Sequence, residues 1–309
     1  MIKQMKSILR TSTFILSAFS TFGQINLEDS TVQVIGFWGR NEKQNYSVSL
    51  EKINVKGSDT TSREMIKYDV EITIKDSTSD SYTIEWFYRK FTNNSENKIV
   101  QKMLSISQDM KVLIKTDELG VVKEVVNWEE VRDYIKKGTN LLRQEFKDIP
   151  KMEDVITLVE NTYLSKAAIE SQAILDAQQF YNFHGARYKL GEVLEGQLKS
   201  PNLYGSEPFD TDFTVYLDEI NQEDNNYILR STQSINSDQL AEATYAYLTR
   251  MANKMGTAGP KKEDLKNFTN ETLTASRIHG SGWVVYSILT KTVTFDKTSN
   301  IEERIIEIK

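Results

Sequence analysis

The chain of 309 residues contains no cysteine. Thiolate metal sites, thiol nucleophiles, disulfides and a lipid-anchoring cysteine are thereby excluded together. Histidine is almost as scarce, with His184 and His279 the only two. Four prolines and 39% hydrophobic residues belong to a folded rather than a disordered chain. Basic residues are in deficit, 38 Lys and Arg against 44 Asp and Glu, giving a formal charge of −6. That balance argues against nucleic acid, which is bound by clustered Lys and Arg that release counterions, and against an anionic membrane surface. Phosphate-cradling loops, dinucleotide fingerprints and kinase signatures are also missing.

Long apolar runs are missing as well, with one short run at the start, "MIKQMKSILRTSTFILSAFSTFGQ". Lys3, Lys6 and Arg10 precede about a dozen mostly apolar residues, and Thr21 and Gly23 supply the small positions of a cleavage site before Gln24. A membrane span needs roughly 20 apolar residues, so the expectation is a cleaved signal over 1–23 and a chain that does not span a membrane. Removing 1–23 leaves 286 residues. It takes away three basic groups and no acidic one, moving the formal charge from −6 to −9. Export without disulfides points to a bacterial route and a periplasmic or extracellular destination.

What is present is strand-forming sequence. Tyr46, Val48 and Leu50 alternate on one face of the first strand. Ile66, Tyr68, Val70, Ile72 and Ile74 do so on the next, and Tyr82, Ile84, Trp86 and Tyr88 on a third. Period two with β-branched and aromatic residues is the half-buried antiparallel pattern. "KMLSIS" with "MKVLIKTDELGVVKEVV" reads as a further strand pair, turning at Glu118–Gly120.

Three helices are expected next. At the first, Asn127 and Glu130 match a capping box, and Val126 with Val131 a hydrophobic staple. Its apolar stripe is Trp128, Val131, Tyr134, Ile135, Gly138, Leu141, Leu142 and Phe146. A second helix from Pro150 turns Met152, Val155, Ile156 and Val159 inward. A third covers Ser165 to Phe183 and ends at Gly185. Strands return from Tyr188, and "INSDQL" repeats the grammar with Asn236 as N-cap, Gln239 at N3 and Ile235 facing Leu240. That helix stops at Gly256, and three strands close the chain.

The fold class expected is α+β, with curved antiparallel meanders packed on helices, in a pattern that two similar β-then-α halves would give. The division expected is 24–186, a meander followed by three helices, and 187–309, strands, a helix and C-terminal strands, or the two together as one domain.

Candidate chemistry is thin. "FHGAR" and "IHGSG" place each histidine beside glycine, but a catalytic dyad needs a partner in space. Ser281 lacks the Gly-x-Ser-x-Gly spacing of a nucleophile elbow. "DTD" and "DEINQEDNN" gather oxygen ligands without the glycine and distal Glu of a calcium loop. No metal site, cofactor or catalytic residue is assigned. Trp38, between glycines in "IGFWGRN", and Trp86 and Tyr88 on the third strand are the candidate ligand-binding aromatics.

In outline the signal segment, long meander and capped helix resemble uncharacterised secreted bacterial proteins of meander-plus-helix build. More loosely they resemble periplasmic lipoprotein carriers, in which a half-open antiparallel sheet wraps helices and holds an acyl chain. The resemblance implies an exported, non-catalytic protein binding a lipid, another hydrophobic ligand or a protein partner on a concave sheet face. The alternatives are a structural or interaction protein of the cell envelope, docking partners along a strand edge such as "IEERIIEIK", and a hydrolase.

Overall fold

The computed structural model describes residues 24–202, 207–265 and 267–309; the expected signal segment lies outside them. Fourteen strands are described in two antiparallel sheets. The small sheet joins β1 (Ile25–Asn26), β2 (Thr31–Gln33) and β8 (Arg187–Lys189). The large sheet has eleven strands. One wing is β3 (Lys43–Lys56), β4 (Asp59–Ser77), β5 (Ser81–Asn93), β6 (Lys111–Asp117) and β7 (Val122–Val125). The other is β9 (Val193–Ser200), β10 (Phe209–Asn221), β11 (Asn226–Ile235), β12 (Thr269–His279), β13 (Val284–Phe295) and β14 (Thr298–Ile308).

The wings join where β14 pairs with β3, so the last strand of the chain lies at the middle of the sheet. "IEERIIEIK" is therefore bonded on both sides, to β13 and β3. It offers no edge for strand addition, and the edges are β7 and β9. A strand's alternation shows which of its faces is buried but not its neighbours, which is why the sequence misplaced this segment.

The alternating positions named above define the inner face. Tyr46, Val48, Tyr68, Val70, Ile72, Ile74, Ile84, Trp86 and Tyr88 are all buried there. Helices cover it: α1 (Lys98–Ser105), α2 (Trp128–Glu145), α3 (Met152–Thr162) and α4 (Lys166–Ala168) over the first wing, α5 (Leu175–Phe180) over the centre, and α6 (Ser237–Met255) over the second wing. The fully buried ring of Phe180 stands edge-on to Tyr46 and Trp86, with centroids 5.4 and 5.5 Å apart. Such pairs contribute about 0.5–1.5 kcal/mol each beyond their area.

Several local expectations are corrected. "KMLSIS" is helical within α1, because Asn97 caps it by accepting from the Ile99 N–H (2.9 Å). The turn at Glu118–Gly120 instead joins β6 to β7, with Gly120 at φ +90°. Helix α2 starts after Asn127 as expected, but that side chain does not cap it. It accepts from the Leu113 N–H (2.8 Å) and donates to the Lys111 carbonyl (3.1 Å), clipping the helix start to β6. Glu130 accepts from the Asn127 amide (3.3 Å). Val126 is half exposed while Val131 is buried, so no staple forms. Leu141 and Val155 also point outward; on α2 the inward position beside them is Thr139, bonded to Glu160 (2.6 Å).

The expected third helix is broken. Ser165 caps α4, a π-helical turn spans Ile169–Ala173, and α5 ends at Phe180. An i→i+5 turn brings residues five apart onto one side, and both Ile169 and Ile174 are buried. Glu170, within the turn, accepts from the Val125 N–H of edge strand β7 (2.8 Å). Gly185 is not a helix terminus: its φ is +91°, and a Cβ there would lie 2.2 Å from Val121.

Candidate functional site

Helix α5 presents polar groups to the sheet as well as Phe180. Asp176 meets the guanidinium of Arg304 on β14, and Tyr68 on β4 donates to the same carboxylate (2.7 Å). Gln179 donates to Ser287 (3.0 Å), which is bonded to Ser276 (2.8 Å). All these groups are buried. A buried carboxylate and guanidinium tolerate little displacement from each other, so they fix the position of α5 over the centre of the sheet.

Helix α6 is held differently. Asn236 caps it by accepting from the Gln239 N–H (3.0 Å), as expected. The Gln239 side chain turns to β10 instead of completing a capping box. It accepts from the Asp210 N–H and donates to the Asp210 carboxylate, both at 2.7 Å. Lys199 also bonds Asp210 and, ahead of Gln239, holds its carboxyl below the ordinary range. Beneath α6, Phe209, Leu240 and Phe268 form a small buried cluster with Ile235, Ala243, Val293 and Phe295, separate from the main core. Ile235 and Leu240 meet in it, as the staple pattern requires.

Between these two helical covers lies a cleft of about 550 Å³, within the roughly 300–1,000 Å³ of small-molecule sites. One wall is Thr162 at the end of α3, Ser171 and Gln172 of the π-helical turn, and Leu175 at the start of α5. The other is Leu240 and Phe268. Its floor is the inner face of β10 to β13. Gln233, Thr272 and Lys291 stand opposite one another across β11, β12 and β13, and Ile235, Asn270 and Val293 line the floor one step along these strands. Leu175, although apolar, is 39% exposed, and Leu164, two residues beyond Thr162, is 64% exposed.

The aromatic candidates lie elsewhere. Trp38, Trp86 and Tyr88 are buried in the main core, and none lines the cleft. Trp38 packs against Tyr82, Tyr181, His184 and Trp283, with ring centroids 5.1 to 6.0 Å away. His184 shares this cluster. Its Nε2 bonds the Gly282 carbonyl (2.9 Å), and burial pulls its pKa down to about 4. The glycines beside it serve the fit: a Cβ on Gly120 would lie 2.9 Å from the His184 ring. His279 accepts from the Ser281 N–H (3.1 Å) and bonds its hydroxyl (2.8 Å), closing the β12–β13 turn. Among the described residues neither histidine pairs with a carboxylate. "DEINQEDNN" forms the β10–β11 turn, where Asp224 bonds Asn221 (3.0 and 3.1 Å). Among the described residues no cluster of three His, Asp or Glu could hold a metal ion, and no helix is long and apolar enough to cross a membrane.

The cleft residues carry one signal in the sequence. Inner-face positions of β12 change from Ile278 to Ser276, Thr274, Thr272 and Asn270 along the strand. Ser276 and Thr274 are buried, whereas Thr272 and Asn270, farther along, line the cleft. No known protein family matches the chain in sequence, and no curated protein matches it.

Proposed function

We propose that the protein is exported and binds an apolar ligand, such as a lipid chain, in the cleft between α5 and α6, without catalysing a reaction. The observation that carries this reading is the cleft itself. It opens on the inner sheet face between two separately anchored covers, and Leu175, Ile235, Leu240, Phe268 and Val293 give it an apolar lining. Leu175, a lining residue, is itself partly exposed. A half-open sheet wrapped on helices is also the outline of the lipoprotein carriers that the sequence resembles. Export rests on the basic, apolar and small-residue order of residues 1–23. A non-catalytic role accords with the use of His184 and His279 in packing and in a turn.

Native mass spectrometry of the chain purified from the cell envelope, followed by organic extraction, tests the reading. The expected result is a stoichiometric apolar adduct that Leu175→Glu removes while the fold is kept. An adduct-free mass together with no binding of apolar probes would overturn it. Such a result would favour partner binding, for which edge strand β9 presents exposed Val193 and Leu194.

A further inference from the structure

The inner face continues past the cleft as a row of charges. Lys291 stands opposite Glu302, Glu302 opposite Lys52, and Lys52 opposite Glu64, on four adjacent strands. Both oxygens of Glu302 are engaged: Oε1 accepts from Arg304 Nη2 (3.1 Å), and Oε2 lies 3.9 Å from Lys52 Nζ. Lys291 has no ion pair among the described residues. It is exposed, and it lines both the cleft and the charged hollow beside it. The row is neutral in sum but ordered, and its positive end is the one at the cleft.

Resting on the apolar-ligand reading, we propose that the ligand is a single apolar chain ending in a carboxylate, and that Lys291 receives that carboxylate. The chain lies along Val293, Ile235, Leu240 and Leu175, and the head sits where Thr272 and Gln233 continue the row across the floor. One ammonium matches one negative charge, and a hydrogen bond between two ions is about twice as strong as a neutral one. The overall negative charge of the chain does not oppose this. Exposed charges farther away than about 10 Å are screened at ordinary salt, so the nearest cation decides.

Calorimetric titration at pH 8 with decanoate and with decanol, on the folded chain and on Lys291→Gln and Lys291→Glu, tests the assignment. The expected result is decanoate binding about tenfold tighter than decanol. Lys291→Gln should abolish the preference and Lys291→Glu reverse it, read as the ratio of the two affinities within each variant. Equal binding of the two probes by the unaltered chain, or a preference that survives Lys291→Gln, would overturn the head-group assignment alone. Failure of both probes to bind would overturn the apolar-ligand reading and this assignment with it.

Discussion

Arg304 of β14 and Asp176 of α5 form an ion pair, Nε to Oδ1 3.1 Å, beneath the helical layer. The two residues are 128 positions apart, one on a mid-chain helix and one on the last strand, so their meeting ties the helical layer to the strand at the middle of the sheet. Burial disfavours the guanidinium charge, and Asp176 is the foremost of the groups that restore it.

Removing one partner strands the other charge. Asp176→Asn should destabilise the fold by about 3–5 kcal/mol, read as a lower urea midpoint. Replacing both partners with apolar residues of similar volume, Asp176→Leu with Arg304→Met, should recover most of that loss. A single variant as stable as the parent would show that the pair does not hold α5.

The clip made by Asn127 separates two roles that a helix N-cap can have. As caps, Asp and Asn are nearly equivalent. As a clip they are not, because aspartate cannot donate to the Lys111 carbonyl that the amide now serves. Asn127→Asp should cost about 1–2 kcal/mol. Unchanged thermal stability in Asn127→Asp would return Asn127 to an ordinary capping role.

Gly138 lies inside α2, where glycine usually costs about 1 kcal/mol relative to alanine. Here a Cβ would lie 2.5 Å from Cγ2 of Ile106, just beyond α1. Gly138→Ala should therefore destabilise, by about 1–3 kcal/mol, with the sign opposite to helix propensity. Denaturant unfolding of the variant decides the sign.

His184 is neutral in the fold down to about pH 4, whereas an unfolded chain takes up its proton near 6.5. The unfolded state thus binds more protons between these values, and stability falls as pH drops from about 6.5 to about 4, by roughly 3 kcal/mol in all. Carboxyls held below their ordinary values, such as Glu160 and Asp117, act only at the acid end of that window. Thermal unfolding from pH 7.5 to 4.5 should show this slope in the parent and lose it in His184→Gln.

The alternating strands of the first wing were legible because one buried face imposes period two on Tyr46 to Tyr88. The order of strands was not, since nothing local marks Ile301 to Ile308 as the partner of β3. Asn127 and Asn236 have the same local grammar, and only Asn236 caps. The difference lies in whether a strand with unpaired backbone groups stands beside the helix start, a matter of tertiary placement. Trp38, between glycines and outside regular secondary structure, looked open to a ligand but is buried; the gap it fills is built by Tyr82, Tyr181 and Trp283 from distant segments. The cleft was hidden for the same reason, because its walls come from three separate parts of the chain, and only the polar inward positions of β12 hinted at it.

Methyl-resolved NMR of the folded chain during titration with decanol addresses the cleft most directly. Binding there requires shifts at Leu175, Ile235, Leu240 and Val293, with Leu273, Ile288 and Ile305 on the opposite sheet face unmoved. Shifts confined to that opposite face, or none at saturating decanol, would contradict the cleft as the binding site.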